Sequence, residues 1–137
     1  MRLPATHFTT LAVLALALGC GGAALTEVQA DRIRSDLRDT MSKPVADRET
    51  RDAHSRHLVQ AVESGALDRL DRSQIRAAIG KGRACRNEIC DNAGFREGDW
   101  YYEIGQAASD DIKQLPVLII GFDHRDVGTR VWTLTTH

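Results

Sequence analysis

The hydrophobic pattern of the chain changes from a helical period to an alternating one near residue 100. Before that point, apolar residues recur every three or four positions, which is typical of amphipathic helices. A first helix is predicted from about Thr26, with a narrow apolar stripe formed by Ile33, Leu37 and Met41. Pro44 interrupts this pattern, because the residue before a proline disfavours helical backbone.

Two further helices are predicted before the alternating part. The segment from about Val45 to Ser64 is polar in its first half, so we expect that half to stand in solvent. A short helix after it has clear start and stop signals. Asp71 is a natural N-cap, Gln74 occupies the N3 position of a capping box, and Gly80 supplies a left-handed stop.

The alternating part predicts three strands. The first, at about 100–104, places Trp100, Tyr102 and Ile104 on one face and Tyr101 and Glu103 on the other. A run at 115–123 is apolar on both faces and predicts the central strand, and 127–136 predicts the last one. Short connections favour an antiparallel meander. We therefore expect an α+β fold of two layers, with the N-terminal helices packed on a three-stranded antiparallel meander sheet.

The first twenty residues predict export. The uncharged apolar run from Phe8 to Leu18 is shorter than the roughly 20 residues that a membrane span needs, and it fits a secretory signal. The run ends in Leu-Gly-Cys, which resembles a bacterial lipobox with Cys20 as the lipidated residue. A signal cut elsewhere or an uncleaved anchor is the alternative. The predicted organisation is a signal peptide at 1–19, a lipidated tether at 20–25, a charged helical region at 26–66 and an α+β domain at 67–137.

The chain has three cysteines. If Cys20 carries lipid, Cys85 and Cys90 remain, and export places them in an oxidising compartment where a disulfide persists. The loop between them is short, so the disulfide would add roughly 2 kcal/mol in the loop-entropy model. A metal site is the competing interpretation, but two thiols without a second pair are a poor zinc signature. The disulfide is favoured.

Charge and motifs exclude several classes of function. The formal net charge of -1 argues against nucleic-acid binding. His54 and His57 could share a helix face and bind a metal, but a solvated polar face is the favoured interpretation. No catalytic motif accompanies the remaining reactive side chains, and turns or caps account for the carboxylates. We therefore expect no catalytic activity, metal or cofactor; the side chains considered are His54, His57, His124, Asp123, Asp126, Ser73 and Ser109.

The C-terminal half resembles the BamE-like (SmpA/OmlA) lipoproteins. Residues 69–80 stand where that family has the segment G-M-T-x-x-x-V-x-x-x-L-G, with Arg69 in place of its first glycine. Trp100-Tyr101-Tyr102 and Phe122-Asp123 match later positions of the family pattern. The resemblance implies helices on a three-stranded sheet, an envelope lipoprotein, and a supporting role in outer-membrane β-barrel assembly. Gly21 is not the aspartate that retains enteric lipoproteins in the inner membrane, so we expect the outer membrane, facing the periplasm.

Two hypotheses about function follow. The first is a non-catalytic lipoprotein that binds envelope proteins, its partners including β-barrel assembly subunits. Its candidate contact residues are Tyr101, Trp100, Trp132 and, in the Cys85–Cys90 loop, Arg86; for both tryptophans the alternative is that they fill the core. The second is a secreted inhibitor-like or ligand-binding module that uses the loop at 83–96.

Overall fold

The computed structural model describes residues 23–85, 94, 96–112 and 114–134. Its helices are α1 (Glu27–Met41), α2 (Arg48–Glu63) and α3 (Arg72–Ile79), and its strands are β1 (Pro44–Val45), β2 (Arg83–Ala84), β3 (Trp100–Glu103), β4 (Gln106–Ala107), β5 (Val117–Phe122) and β6 (Gly128–Leu134). Strands β2, β3, β5 and β6 form an antiparallel sheet in that order. Strand β1 pairs in parallel with β4. The predicted α+β class is confirmed.

Each helix begins with a capping box: the N-cap side chain accepts from the backbone N–H of the N3 residue, and the N3 side chain accepts from the backbone N–H of the N-cap residue. The box of Asp71 and Gln74 is the predicted one. Helix α2 begins three residues later than predicted, because Pro44 and Val45 are extended in β1 and Asp47 becomes the N-cap. Gly80 ends α3 at φ 91° and ψ 172°, so it has the expected positive φ but an extended ψ rather than the left-handed helical one.

The described residues contain more strand pairing than the predicted three-stranded meander. The predicted strands are present as β3, β5 and β6, and β5 lies between the other two as expected. The additional pairing comes from β2, which extends the sheet beyond β3, and from β1 with β4. These three strands have two residues each. A two-residue strand has no periodicity, so the sequence pattern cannot reveal it.

The two faces of the sheet are assigned correctly by the alternation. Trp100 and Tyr102 pack toward the helices with Leu118 and Ile120 from β5. The other face, called the outer face here, carries the row that joins Tyr101, Ile119 and Trp132 across β3, β5 and β6.

The predicted helical region and the predicted α+β domain share one core. Leu37 of α1 and Leu58 of α2 are buried in the same cluster as the inward residues of β3 and β5. Burial of these side chains is the main favourable term holding the helices to the sheet. Within the described residues, no helix is long and apolar enough to cross a membrane.

Candidate functional site

A polar cleft of about 490 Å³ lies beside β3 and contains the outward Tyr101. It is bounded by the end of α1, the β2–β3 edge of the sheet, and the segment that follows β3. A cleft of this size falls in the range of ligand and peptide sites. Its lining residues are Met41, Lys81, Arg83, Tyr101, Tyr102, Glu103, Gly105, Gln106, Ala107, Ile112 and Leu115.

The basic side of the cleft is positioned by the turn after α3. The Tyr102 hydroxyl donates to the carbonyl of Gly80 at 2.9 Å, which fixes this turn against β3. Gly82 lies so close to β3 that an added Cβ would stand 2.6 Å from the Cβ of Trp100. Lys81 and Arg83 flank this glycine, and the antiparallel pairing of Arg83 with Tyr101 places both cations at the cleft.

Opposite charges meet across the β2–β3 pair. The guanidinium Nη1 of Arg83 donates to Glu103 Oε2 at 3.4 Å, and both side chains are largely exposed. The pKa of Arg83 is raised above its ordinary value, first by a hydrogen bond with the side chain of Tyr101 and then by the negative charge of Glu103. Lys81 makes no ion pair within the described part of the chain. The cleft therefore offers an unpaired ammonium, a guanidinium in a solvent-screened pair, and the phenol ring of Tyr101.

The lining of the cleft also includes apolar side chains. Met41, Ile112 and Leu115 line the same cleft, and all three are partly buried. This combination suits a polypeptide segment that presents an apolar side chain next to a carboxylate, because both kinds of contact can form together.

The second notable polar group is a buried carboxylate that sequence reasoning missed. Asp99 is 2% exposed and precedes β3. Its Oδ2 accepts from Arg130 Nη2 at 2.8 Å and from the backbone N–H of Arg96 at 2.9 Å, and its Oδ1 accepts from the N–H of Phe122 at 3.2 Å. Asp99 thus joins three separate segments. The sequence signal that could have indicated this buried carboxylate is the position of Asp99 between a glycine turn and an aromatic strand.

Trp100 does not belong to a contact surface, which corrects one of the predicted site residues. It is 5% exposed, and its ring packs edge-on against Phe122 with centroids 5.2 Å apart. The guanidinium of Arg72 lies 3.8 Å from the Phe122 ring centroid and 5.0 Å from that of Trp100. Arg72 also donates to Asp126 and to the carbonyl of Gly98. Trp100 therefore fills the core, as its alternation with Tyr102 requires.

Trp132 and Tyr101 both lie on the outer face and are partly exposed. They are separated in the sheet by Ile119, which pairs with both and is completely buried. The guanidinium of Arg130 lies 5.3 Å from the Trp132 ring centroid. Tyr101 lines the cleft, whereas Trp132 lines a separate depression at the β6 edge.

The cysteines and the loop between them are only partly described. Cys85 is buried. Cys20, Cys90 and Arg86 lie outside the described residues, so the lipidation of Cys20, the pairing of Cys85 with Cys90 and a contact role for Arg86 stay predictions.

The two histidines of α2 have different environments. His57 is exposed as predicted, but His54 is buried, against the expected solvated face. Its Nδ1 donates to the carbonyl of Thr50 at 2.7 Å, and its Nε2 has no hydrogen-bond partner among the residues that the structure describes. Gly105 makes the room, since a Cβ there would stand 2.9 Å from the His54 ring.

The acidic residues between β5 and β6 build the connecting turn, as predicted. Asp123 Oδ1 accepts from the N–H groups of Arg125 and Val127 at 2.8 and 3.0 Å. The Val127 N–H, followed by that of Arg125, lowers the pKa of Asp123. Asp126 adopts φ 59° and pairs with Arg72. His124 is exposed in the same turn.

Comparison of the chain with known proteins adds no relative. No family model, curated protein or solved structure matches it.

Proposed function

We propose that this chain is a non-catalytic envelope lipoprotein that is anchored through Cys20 and binds another envelope protein at the cleft beside β3. The export signal and the lipobox-like end of its apolar run support the anchor. Residues 23–25, which follow the proposed lipid site, are exposed and have no regular secondary structure, as a tether requires.

The cleft is the observation that carries the binding proposal. It brings together Lys81, Arg83 and Tyr101, with apolar side chains beside them. A partner segment with a carboxylate would pair with Lys81, and a neighbouring apolar residue would cover Leu115. Aromatic and arginine side chains are enriched where proteins bind each other, and Tyr101 and Arg83 are of these types.

The proposed partner class is the machinery that assembles outer-membrane β-barrels, as the resemblance implies. One backbone angle supports that resemblance. Arg69 adopts φ 60°, in the left-handed region that favours glycine. This is the position at which the BamE-like pattern has its first glycine. A backbone conformation that favours glycine therefore occurs in this chain at the position where the pattern has a glycine.

A co-purification experiment tests both parts of the proposal. The lipidated protein is extracted from envelopes in mild detergent, and bound proteins are identified by mass spectrometry. We expect β-barrel assembly subunits with the unaltered protein and a loss of at least tenfold with Lys81→Glu, because the substitution repels a partner carboxylate. Lys43→Glu is the matched control, since Lys43 is also exposed but does not line the cleft.

The possible outcomes separate the claims. Recovery of no assembly subunit would reject the assembly role. Equal recovery with Lys81→Glu and Lys43→Glu would reject the cleft as the binding surface. The anchor is tested separately with labelled palmitate: a Cys20→Ala protein that stays membrane-bound and labelled would show that Cys20 is not the lipid site.

A further inference from the structure

Strand β6 is an edge of the main sheet, and part of its backbone faces away from β5. The hydrogen-bonding direction can be followed across the sheet. The N–H of Ile104 donates to the carbonyl of Pro116, so Pro116, Leu118 and Ile120 point toward β3. Their neighbours in β5 point toward β6, where they pair with Arg130, Trp132 and Leu134. The alternate residues Val131 and Thr133 therefore direct their N–H and C=O groups outward.

The first outward position of this edge already has a partner within the chain. The N–H of Gly128 donates to the carbonyl of Leu70 at 2.8 Å, and the N–H of Arg69 donates to the carbonyl of Gly128 at 2.9 Å. Asp71 and Val127 form an antiparallel bridge beside them. The segment 69–71 thus covers the start of the edge. Among the described residues, no backbone group bonds Val131 or Thr133 from the outside.

Beyond this segment, residues 130–134 have none of the usual sequence features that prevent strands from pairing. Residues 130–134 contain no proline and no lysine, and the β-bulge of β6 comes earlier, between Gly128 and Arg130. Edge strands without such protection are templates for another strand. The only charge on this stretch is that of Arg130, which is bound to Asp99.

We propose that a second copy of this chain covers this edge by antiparallel pairing of β6 with β6 about a two-fold axis at Trp132. In this register Val131 of each copy lies opposite Thr133 of the other. Every outward N–H then meets an outward C=O, and none of these groups is left without a partner. The two four-stranded sheets become continuous.

The side chains in this register are compatible with the pairing. Trp132 faces its own counterpart across the axis on the outer face, at a close, non-hydrogen-bonded position where aromatic pairs are favourable. Arg130 lies opposite Leu134 of the other copy, so no like charges are directly opposed. The pairing is short, because the segment 69–71 stops it at Gly128. The dimer is therefore weak and forms at high protein concentration.

Sedimentation of the full chain carrying Cys20→Ser, which removes lipid-driven association, measures the pairing. We expect the weight-average mass to rise toward twice the monomer value with concentration. Thr133→Pro removes one outward N–H without touching the bonds to β5, so it should abolish the rise. Thr133→Val keeps the N–H and should retain it. Circular dichroism and a melting curve verify that both variants fold.

Cysteine cross-linking tests the register independently of whether the proline variant folds. Under mild oxidation, Trp132→Cys should link two copies, because the residue faces its own counterpart. Arg130→Cys should not, since the two 130 positions would lie about 13 Å apart. The proposal is overturned by a monomer at all concentrations, by a dimer that tolerates Thr133→Pro, or by equal cross-linking at 130 and 132. A monomer would leave the cleft proposal untouched.

Discussion

Replacing Asp99 by asparagine should destabilise the protein by about 2–4 kcal/mol. The carboxylate is 2% exposed and accepts three hydrogen bonds, one of them from Arg130. Asparagine keeps the shape, but its NH₂ group must then face one of these donors. Breaking one side of a buried ion pair costs about 3–5 kcal/mol. The lower range applies here because Arg130 is 35% exposed and can be rehydrated.

A double-mutant cycle with Arg130→Met measures how much of this cost belongs to the ion pair. The single change at Arg130 should cost about 1–2 kcal/mol, since Asp99 keeps its two backbone donors. We expect a coupling energy of about 1–2 kcal/mol between the two positions, because they are in direct contact. The free energies of unfolding are obtained from urea denaturation followed by tryptophan fluorescence, with constant m-values as the test of two-state behaviour.

Glu103→Gln is the matched control for this cycle. The Arg83–Glu103 pair is also a carboxylate–guanidinium contact, but its two side chains are 70% and 46% exposed. Exposed pairs contribute about 0–1 kcal/mol. If Asp99→Asn costs no more than Glu103→Gln, or if the coupling energy is zero, then Asp99 does not join its three segments as described.

Three further predictions test individual features, with five substitutions at four positions. Arg69→Gly should stabilise the protein by about 1 kcal/mol by relieving φ 60°, whereas Arg69→Ala should not; calorimetry that shows equal melting points would contradict this. Gly82→Ala should cost about 1–3 kcal/mol in urea unfolding because of the contact with Trp100, and Gly80→Ala, which has open space but φ 91°, should cost about 1 kcal/mol. Burial raises the pKa of the Tyr102 hydroxyl above its ordinary value of 10. The stability that the neutral hydroxyl contributes should therefore be fully present below pH 10 and be lost as the pH rises further. Tyr102→Phe should be less stable at neutral pH, and its free energy of unfolding should fall less steeply with pH above 10.

Local signals in the sequence predicted the elements that depend on local physics. Helix α3 was predicted with its N-cap and its last residue, because Asp71, Gln74 and Gly80 act on backbone groups within a few residues. The faces of β3 followed from strict alternation, which requires Trp100 and Tyr102 to share an environment. The apolar run of β5 predicted a strand with neighbours on both sides.

The features that were missed depend on contacts between distant segments. Asp99 and Arg130 are 31 positions apart, and no local pattern joins them. The burial of His54 requires the absence of a side chain at Gly105, which lies in another element. The cleft itself was not predicted, although Tyr101 in its lining was named as a candidate contact residue. Lys81 and Arg83 reach it through β2, whose two residues carry no periodic signal.

The parallel pairing of β1 with β4 has a consequence for the order in which the chain folds. It joins Pro44 to Gln106 and Val45 to Ala107, so a segment between the first two helices is completed by residues that follow β3. Contacts between distant positions form slowly, because a long loop must close first. Synthesis from the N-terminus produces α1 and α2 before the strands that they pack against. Leu37 and Leu58 therefore reach their full burial only when the strands that share their core have formed.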